Sequence, residues 1–259
     1  MKKLYIKLIE LFEQHLQIGH VVGGKYVILQ LLGKGSYGFA YQVKDLDGNI
    51  RVLKQLRKYK MLDGTGKRSF LLEANILNDL ADPAFPKLFD QFTDKGKLFI
   101  VMEYLSGKTY EELIFHEKRI FTETEAFREL AYILQLIKKI HNKGYIHRDL
   151  RIPNILKNGN DICIIDFGLA RSVSEVSKET FNNEEKRLFR EISYKSDLYA
   201  LGHFMLFLLY SSYEPDSKQS KTWEEELPIT DESKRILRKM LQLDVPYNHV
   251  NELINDLAN

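Results

Sequence analysis

Between His147 and Gly168 the chain reads HRDLRIPNILKNGNDICIIDFG, and few folds can use residues in that order. A carboxylate, Asp149, precedes an amide, Asn154, by five residues, and a second carboxylate, Asp166, stands directly before Phe-Gly. Asn158-Gly159 is a tight-turn dipeptide between the apolar runs Ile155–Lys157 and Ile162–Ile165, so a β-hairpin is expected to join the two halves. Asp149 can accept the proton of an attacking hydroxyl, and Arg151 can neutralise charge on a transferring phosphoryl group. Asn154 and Asp166 offer the hard oxygen donors that Mg²⁺ favours. The layout is that of a site holding a divalent metal on a polyphosphate while a hydroxyl is oriented for attack. A loop of capping Asp and Asn residues is the plainer alternative. It accounts for any one of these residues, but not for the ordered set.

A second group lies upstream. Gly33-Lys34-Gly35-Ser-Tyr-Gly38 sits between two strand patterns, Tyr26–Leu31 and Phe39–Val43. A G-x-G-x-x-G alone is weak, because dinucleotide-binding folds also carry it, but those need a helix straight after the last glycine. Here Phe39–Val43 continues as strand, which points to a glycine hairpin whose N–H groups can approach phosphates. Lys54 ends the next strand pattern, within reach of the α- and β-phosphates, and Glu73 on the following helix can hold its amine. Either residue alone would be read as a solvated surface charge.

The remaining pattern orders these groups. Strands are expected at Ile50–Leu56, 87–93 and 97–103, and a helix at 67–80 ending before Asp82-Pro83. A long helix at 123–142 opens with a Thr122/Glu125 capping box and ends at Lys143-Gly144. Further helices are expected at 196–211, 231–242 and 249–258, while 171–193 is polar and without clear pattern. Residues 2–16 show apolar positions at helical spacing, expected to pack on the domain or in a dimer, with membrane-surface binding as the lesser alternative because Glu10 and Glu13 dilute the basic face. A strand-rich first third and a helical remainder argue for two lobes with a cleft between them.

Composition narrows the class. A 44% hydrophobic content supports a full core, and a net charge of +2 predicts no obligatory nucleic-acid partner. The basic stretch Arg57-Lys-Tyr-Lys60 with Lys67-Arg68 is expected to be a solvated face, with binding of an acidic regulator or nucleic acid as the alternative. The single cysteine, Cys163, suits a reducing cytosol and is expected to be a buried strand residue. No apolar run is long enough to span a bilayer, so no transmembrane segment is expected.

Taken in order, these motifs resemble those of eukaryotic-like protein kinases, and the small size is similar to compact bacterial serine/threonine members. The resemblance covers roughly residues 24–211 and fades beyond. It implies an α+β, bilobal fold with a small β-rich N-lobe (21–104) and a mostly helical, shortened C-lobe (105–259), preceded by the N-terminal amphipathic helix (1–20) read from the apolar spacing. It implies ATP with Mg²⁺, or Mn²⁺ as an alternative. Asp149, Lys54, Arg151 and Glu73 would be the catalytic set, and Asn154 and Asp166 the metal ligands. Gly33, Lys34, Gly35, Gly38, Ala40, Val52, Lys54, Met102 as gatekeeper, and the hinge Glu103–Leu105 would hold the nucleotide. Leu77, Leu88, His147 and Phe167 would form a hydrophobic spine anchored by Asp197. Arg148 would bind a phosphorylated activation segment, with Ser172, Ser174, Ser177 and Thr180 as candidate sites.

Four departures stand out. Ala40 and Val52 exchange the family's usual sizes at two adenine-facing positions, a swap that roughly conserves volume. No Ala-Pro-Glu lies between Asp166 and Asp197, and the late Asp-Pro-x-x-Arg survives only as Asp244-Val-Pro-Tyr-Asn248. In the family the Glu of Ala-Pro-Glu pairs with that Arg; losing one partner would strand a buried charge at about 3–5 kcal/mol, so joint loss indicates a rebuilt lobe. Trp223 is read as a core residue or as an anchor of the replacement. Arg151 stands where serine/threonine kinases usually carry Lys, whereas Pro153 fits their pattern. The expected activity is phosphorylation of Ser/Thr on proteins, including the chain itself, in the cytoplasm. A small-molecule kinase and a nucleotide-binding pseudokinase remain as alternatives.

Overall fold

A computed structural model of the chain describes residues 13–35, 37–62, 64–176, 180–214 and 221–258. The chain divides into two compact units, Met1–Ser106 and Gly107–Asn259. The helix expected at 2–16 falls largely outside the described residues; within them, 13–17 form no helix.

The first unit is an antiparallel sheet of six strands: β1 (Val21–Val22), β2 (Tyr26–Lys34), β3 (Gly38–Lys44), β4 (Ile50–Leu56), β5 (Leu88–Asp94) and β6 (Lys97–Glu103), in the order β1-β2-β3-β4-β6-β5. Alternation decides its faces. Phe39, Tyr41 and Val43 of β3 point one way, and with Leu53, Phe99 and Val101 they form a buried core closed by Val22, Tyr26 and Ile28. Each such side chain contributes about 1.5–3 kcal/mol on burial. The β3–β4 turn is fixed by Asp45, whose Oδ1 accepts from the amides of Asp47 (3.1 Å) and Asn49 (2.8 Å). Directly opposed residues in an antiparallel ladder share a face. The pairs Ala40↔Lys54 and Val52↔Met102 therefore place four of the expected nucleotide residues on the face opposite the core. After β4 come two helices, α1 (Lys58–Leu62) and α2 (Gly64–Leu80). The first was not expected, and it corrects the solvated reading of the basic stretch: Arg57 and Tyr59 are buried, with the Arg57 guanidinium 4.8 Å from the Phe39 ring centre.

The second unit is built on two long helices. In α3 (Glu123–Asn142), Ala126, Leu130, Ile133, Leu134, Ile137 and Ile140 make a buried stripe at helical spacing. Its start carries the full Thr122/Glu125 capping box, and Gly144, in the left-handed region at φ 73°, ends it. The strands are β7 (Lys108–Thr109), β8 (Tyr145–Ile146), β9 (Ile155–Asn158), β10 (Asp161–Ile164) and β11 (Arg171–Ser172). The region 171–193, without pattern in the sequence, holds β11 and a helix α4 (Glu184–Arg190). Next comes α5 (Tyr194–Tyr210), apolar nearly all round and packed against α3 and α4. Short α6 (Trp223–Glu226), then α7 (Asp231–Met240) and α8 (Val250–Leu257), complete the unit. Cys163 is half-buried on β10, between the buried Ile162 and Ile164, so its side chain takes the less enclosed face. Among the described residues no helix is long and apolar enough to cross a membrane.

Candidate active site

In the first unit, β2 and β3 form the glycine hairpin. Gly33 pairs with Ala40 and Lys34 with Phe39, and the Gly35 amide donates to the Gly38 carbonyl at 2.9 Å. The glycines differ in what they do. A Cβ on Gly38 would lie 2.3 Å from the Gln55 carbonyl oxygen, so this glycine lets β3 pass close to β4. A Cβ on Gly33 would meet nothing within 4 Å, and one on Gly35 only the Gly38 oxygen at 3.7 Å. Packing within the unit does not require glycine at these two positions, as expected where backbone is kept bare for a ligand.

On the face away from the core, Lys54 Nζ pairs with Glu73 Oε1 of α2 at 2.5 Å, with Glu73 almost fully buried. The pair expected from order alone is therefore formed. Met102 is buried at the end of β6. Glu103 is locked to Lys87 by two bonds, Glu103 N–H to the Lys87 carbonyl (2.8 Å) and Lys87 N–H to Glu103 Oε2 (3.2 Å). The chain then leaves the sheet through a half-buried Leu105. Leu77 is buried and Leu88 half-buried in the same unit.

In the second unit the expected hairpin is β9–β10, with Ile155 opposite Ile164 and the Ile165 amide bonded to the Asn154 carbonyl at 2.9 Å. That register carries Asn154 and Asp166 to the open end of the hairpin. Pairing of β8 with β11 brings the chain before His147 alongside the chain after Ala170. Asn154 Nδ2 donates to both the carbonyl and Oδ2 of Asp149, each at 2.9 Å. With its amide nitrogen so committed, the Asn154 carboxamide oxygen is turned away from Asp149 and suits a hard cation. Asp166, held at φ 65°, accepts the Gly168 amide on Oδ1 at 3.2 Å. Among the described residues there is no group of three or more His, Cys, Asp or Glu able to hold a metal. Two oxygen donors fit Mg²⁺, which takes its other ligands from phosphate and water.

Asp197, fully buried on α5, anchors the loop. Its carboxylate accepts the amides of His147 (2.9 Å) and Arg148 (2.7 Å) and faces His141 Nε2 at 3.0 Å. Burial alone would raise the Asp197 carboxyl, but the His141 bond and the neighbouring His147 hold it below the ordinary range. Burial pushes the His147 imidazole down against the pull of Asp197, Asp149 and Asp166. Its ring meets Phe167 edge-on at 4.7 Å, so two of the four expected spine residues are in contact within this unit.

Arg148 departs from expectation. Its Nε donates to the Arg190 carbonyl at 2.7 Å, NH2 donates to the same oxygen, and NH1 reaches the Leu169 carbonyl at 3.3 Å. Backbone carbonyls occupy the groups that the resemblance assigned to a phosphate. Ser172 and Ser174 bond each other at 2.8 Å, Thr180 is exposed, and Ser177 lies outside the described residues. Around the altered tail, Arg238 pairs with Asp244 (2.8 Å) and Glu224 (2.8 Å). Trp223, beside Glu224, is half-buried rather than a core residue.

The sequence did not single out Arg190, which reaches Asp149 Oδ1 at 3.1 Å from the end of α4. A signal existed: Asn183 followed by Glu184-Glu185 is a capped, acidic helix start, and Asn183 does accept the Lys186 amide at 2.8 Å.

Residues 26–257 match the protein kinase domain. The chain belongs to the protein kinase family. It is 34% identical over 256 residues to the probable serine/threonine-protein kinase YbdM of Bacillus subtilis, covering 98% of this chain and 96% of that protein. It is 29% identical to serine/threonine-protein kinase B of Synechocystis, of whose length it spans 45%. The crystal structure of the Mycobacterium tuberculosis PknI kinase domain superposes with a TM-score of 0.71 at 20% identity, covering 95% of this chain and 99% of that one. That likeness confirms the bilobal kinase fold. Kinases of this family use ATP with a divalent metal ion.

Proposed function

We propose that this kinase transfers the γ-phosphoryl group of ATP to serine or threonine hydroxyls of cytoplasmic proteins, its own chain included. The observation that carries this is the Asp149 carboxylate: oriented by Asn154, flanked by Arg151 at 2.8 Å, and seated on a loop tied down by Asp197. The serine/threonine names of the relatives and Pro153 favour aliphatic hydroxyls over tyrosine.

In this mechanism Asp149 accepts a hydrogen bond from the acceptor hydroxyl and turns its oxygen toward the γ-phosphorus. The new P–O bond forms as the bond to the β,γ-bridging oxygen breaks and leaves with ADP, and the hydroxyl proton passes to Asp149. Arg151 offsets charge on the equatorial oxygens. Lys54, held by Glu73, and the bare backbone of Gly33–Gly35 position the phosphates, with Gly38 keeping that hairpin close to β4. Lys34 adds a positive charge beside them. Ala40, Val52, Met102 and Glu103–Leu105 would enclose the adenine. Asn154 and Asp166 would hold Mg²⁺ or Mn²⁺, which when bound neutralises phosphate charge.

The test is phosphate transfer from radiolabelled Mg-ATP by wild type, Asp149→Asn and Lys54→Met, with mass spectrometry locating the product. Transfer by wild type to Ser or Thr, and its collapse in both variants, is expected. Wild-type transfer no greater than that of Asp149→Asn would refute the assignment.

A further inference from the structure

Four nitrogens face the Asp149 carboxylate, three as hydrogen-bond donors and one in close ion-pair contact. Oδ1 faces Arg151 Nε at 2.8 Å and Arg190 NH2 at 3.1 Å; Oδ2 faces Asn154 Nδ2 at 2.9 Å and Arg151 NH2 at 3.3 Å. An acceptor hydroxyl that bonds to this carboxylate competes with these donors for its oxygens. Asn154 and Arg151 belong to the same short loop as Asp149. Arg190 comes from 41 residues further on, at the end of α4.

Its backbone has little freedom. Arg148 donates to the Arg190 carbonyl, and Phe189 packs on Tyr199 and His203, with ring centres 4.8 Å apart in each case. The guanidinium is held by Asp149 and, through NH1, by the Arg148 carbonyl, and with the side chain 24% exposed it is the part that an incoming anion can reach. Among the described residues Asp149 is the only carboxylate paired with Arg190. Once displaced, this cation needs another anion. The surroundings favour one arriving from outside, because two guanidiniums, Arg151 and Arg190, face a single carboxylate.

We propose that Arg190 selects the acceptor. It occupies Asp149 in the free kinase and is drawn off by substrates with an anionic side chain one or two residues from the hydroxyl. This deepens, and rests on, the phosphotransfer reading above. The chemistry recognised is a carboxylate or phosphate beside a serine or threonine. An anionic neighbour both binds Arg190 and clears the oxygen that the hydroxyl needs. A neutral neighbour must displace Arg190 without compensation, and a basic one is also repelled. Arg190 thus acts through Asp149 as a positioning residue, without taking part in the transfer.

The experiment measures kcat and KM with Mg-ATP for one serine peptide in four forms, the neighbouring residue being Glu, phosphoserine, Gln or Lys. Wild type is expected to favour the anionic peptides over the Gln peptide by about tenfold in kcat/KM, the scale of one charge-assisted hydrogen bond. The Glu and phosphoserine arms separate the two anion sources. Arg190→Gln should abolish the preference and raise transfer to the Gln peptide, whereas Arg190→Lys should retain part of it. A purely structural role for Arg190 would not make the effect depend on peptide charge. Transfer by wild type without preference for anions overturns the proposal and leaves the kinase assignment standing, and so does an anionic preference surviving in Arg190→Gln. No transfer to any peptide overturns the assignment and this proposal together. The peptide comparison on the unmodified protein stays decisive even if Arg190→Gln folds poorly.

Discussion

Replacing Asp197 tests how the loop bearing Asp149 is held. The carboxylate is fully buried and accepts two backbone amides, His147 and Arg148, besides facing His141. Asp197→Ala leaves both amides without a partner in a site closed to water. Each orphaned buried donor costs about 1–3 kcal/mol, so the pair costs about 2–6 kcal/mol. Asp197→Asn keeps one acceptor oxygen and sets an amide N–H₂ against the other donor, so about half that loss is expected. With a urea dependence of about 2 kcal/mol per molar, Asp197→Ala should lower the unfolding midpoint by about 1–3 M. The chain has a single tryptophan, Trp223, and it lies in the same unit as Asp197, so its fluorescence reports the relevant transition. Phosphate transfer should fall in both variants, because Asp149 follows the two tethered residues directly. If both variants unfold within about 0.5 kcal/mol of wild type, below the cost of one orphaned donor, the amides do not depend on Asp197 and the argument fails.

Other outcomes follow from single contacts. Gly38→Ala puts a methyl 2.3 Å from the Gln55 oxygen and should lower both melting temperature and ATP affinity; Gly33→Ala, which meets nothing in the unit, should affect ATP affinity while sparing the melting temperature. Glu73→Gln removes the charge that holds Lys54 and should raise the KM for ATP, read from initial rates at varied Mg-ATP. Thr122→Ala removes the capping box of α3 and should cost about 1 kcal/mol in urea unfolding. His147 and His203 are both held below the ordinary imidazole value by burial. The unfolded chain therefore binds protons that the folded one refuses, so stability is full above about pH 6.5 and falls as pH drops below it. Melting temperatures from pH 7.5 to 5 should show this slope, and His203→Phe should make it shallower; an unchanged slope would exclude His203 as a contributor.

Much of the candidate site's layout is legible in the sequence because its residues sit on local elements with strong signals. Asn158-Gly159 fixes a hairpin, and the hairpin register alone sets Asn154 beside Ile165 and Asp166. Strand alternation places Val52 and Lys54 on the same face of β4. The Thr122/Glu125 box marks the start of α3 to the residue. What was not legible depends on long-range partners. In the sequence Arg148 has donors ready for a phosphate, whereas in the fold the Arg190 and Leu169 carbonyls take them. Arg57 reads as solvated in the sequence because nothing nearby along the chain announces the Phe39 ring beneath it. Helix α4 was missed because it buries no residue fully and lacks an apolar stripe; its caps and the Arg187 pairs with Glu184 and Glu191 define it instead.

Two candidate site residues, Arg148 and Asp166, have left-handed backbones at φ 63° and 65°. Such conformations cost non-glycine residues about 1–3 kcal/mol each and persist only where the surroundings over-determine them. At Arg148 the over-determination is visible: its amide is held by Asp197, its guanidinium by two carbonyls, and its own carbonyl by Arg190. Only the last two of these ties involve the segment that lacks the family's Ala-Pro-Glu. The Arg148–Arg190 clasp thus fixes the strained loop and at the same time delivers a cation to Asp149. The same contacts tie the loop that carries Asp149 to the segment after Asp166. Substitutions at Arg190 should consequently alter acceptor choice and loop stability together, whereas substitutions at Lys54, in the other unit, should alter neither.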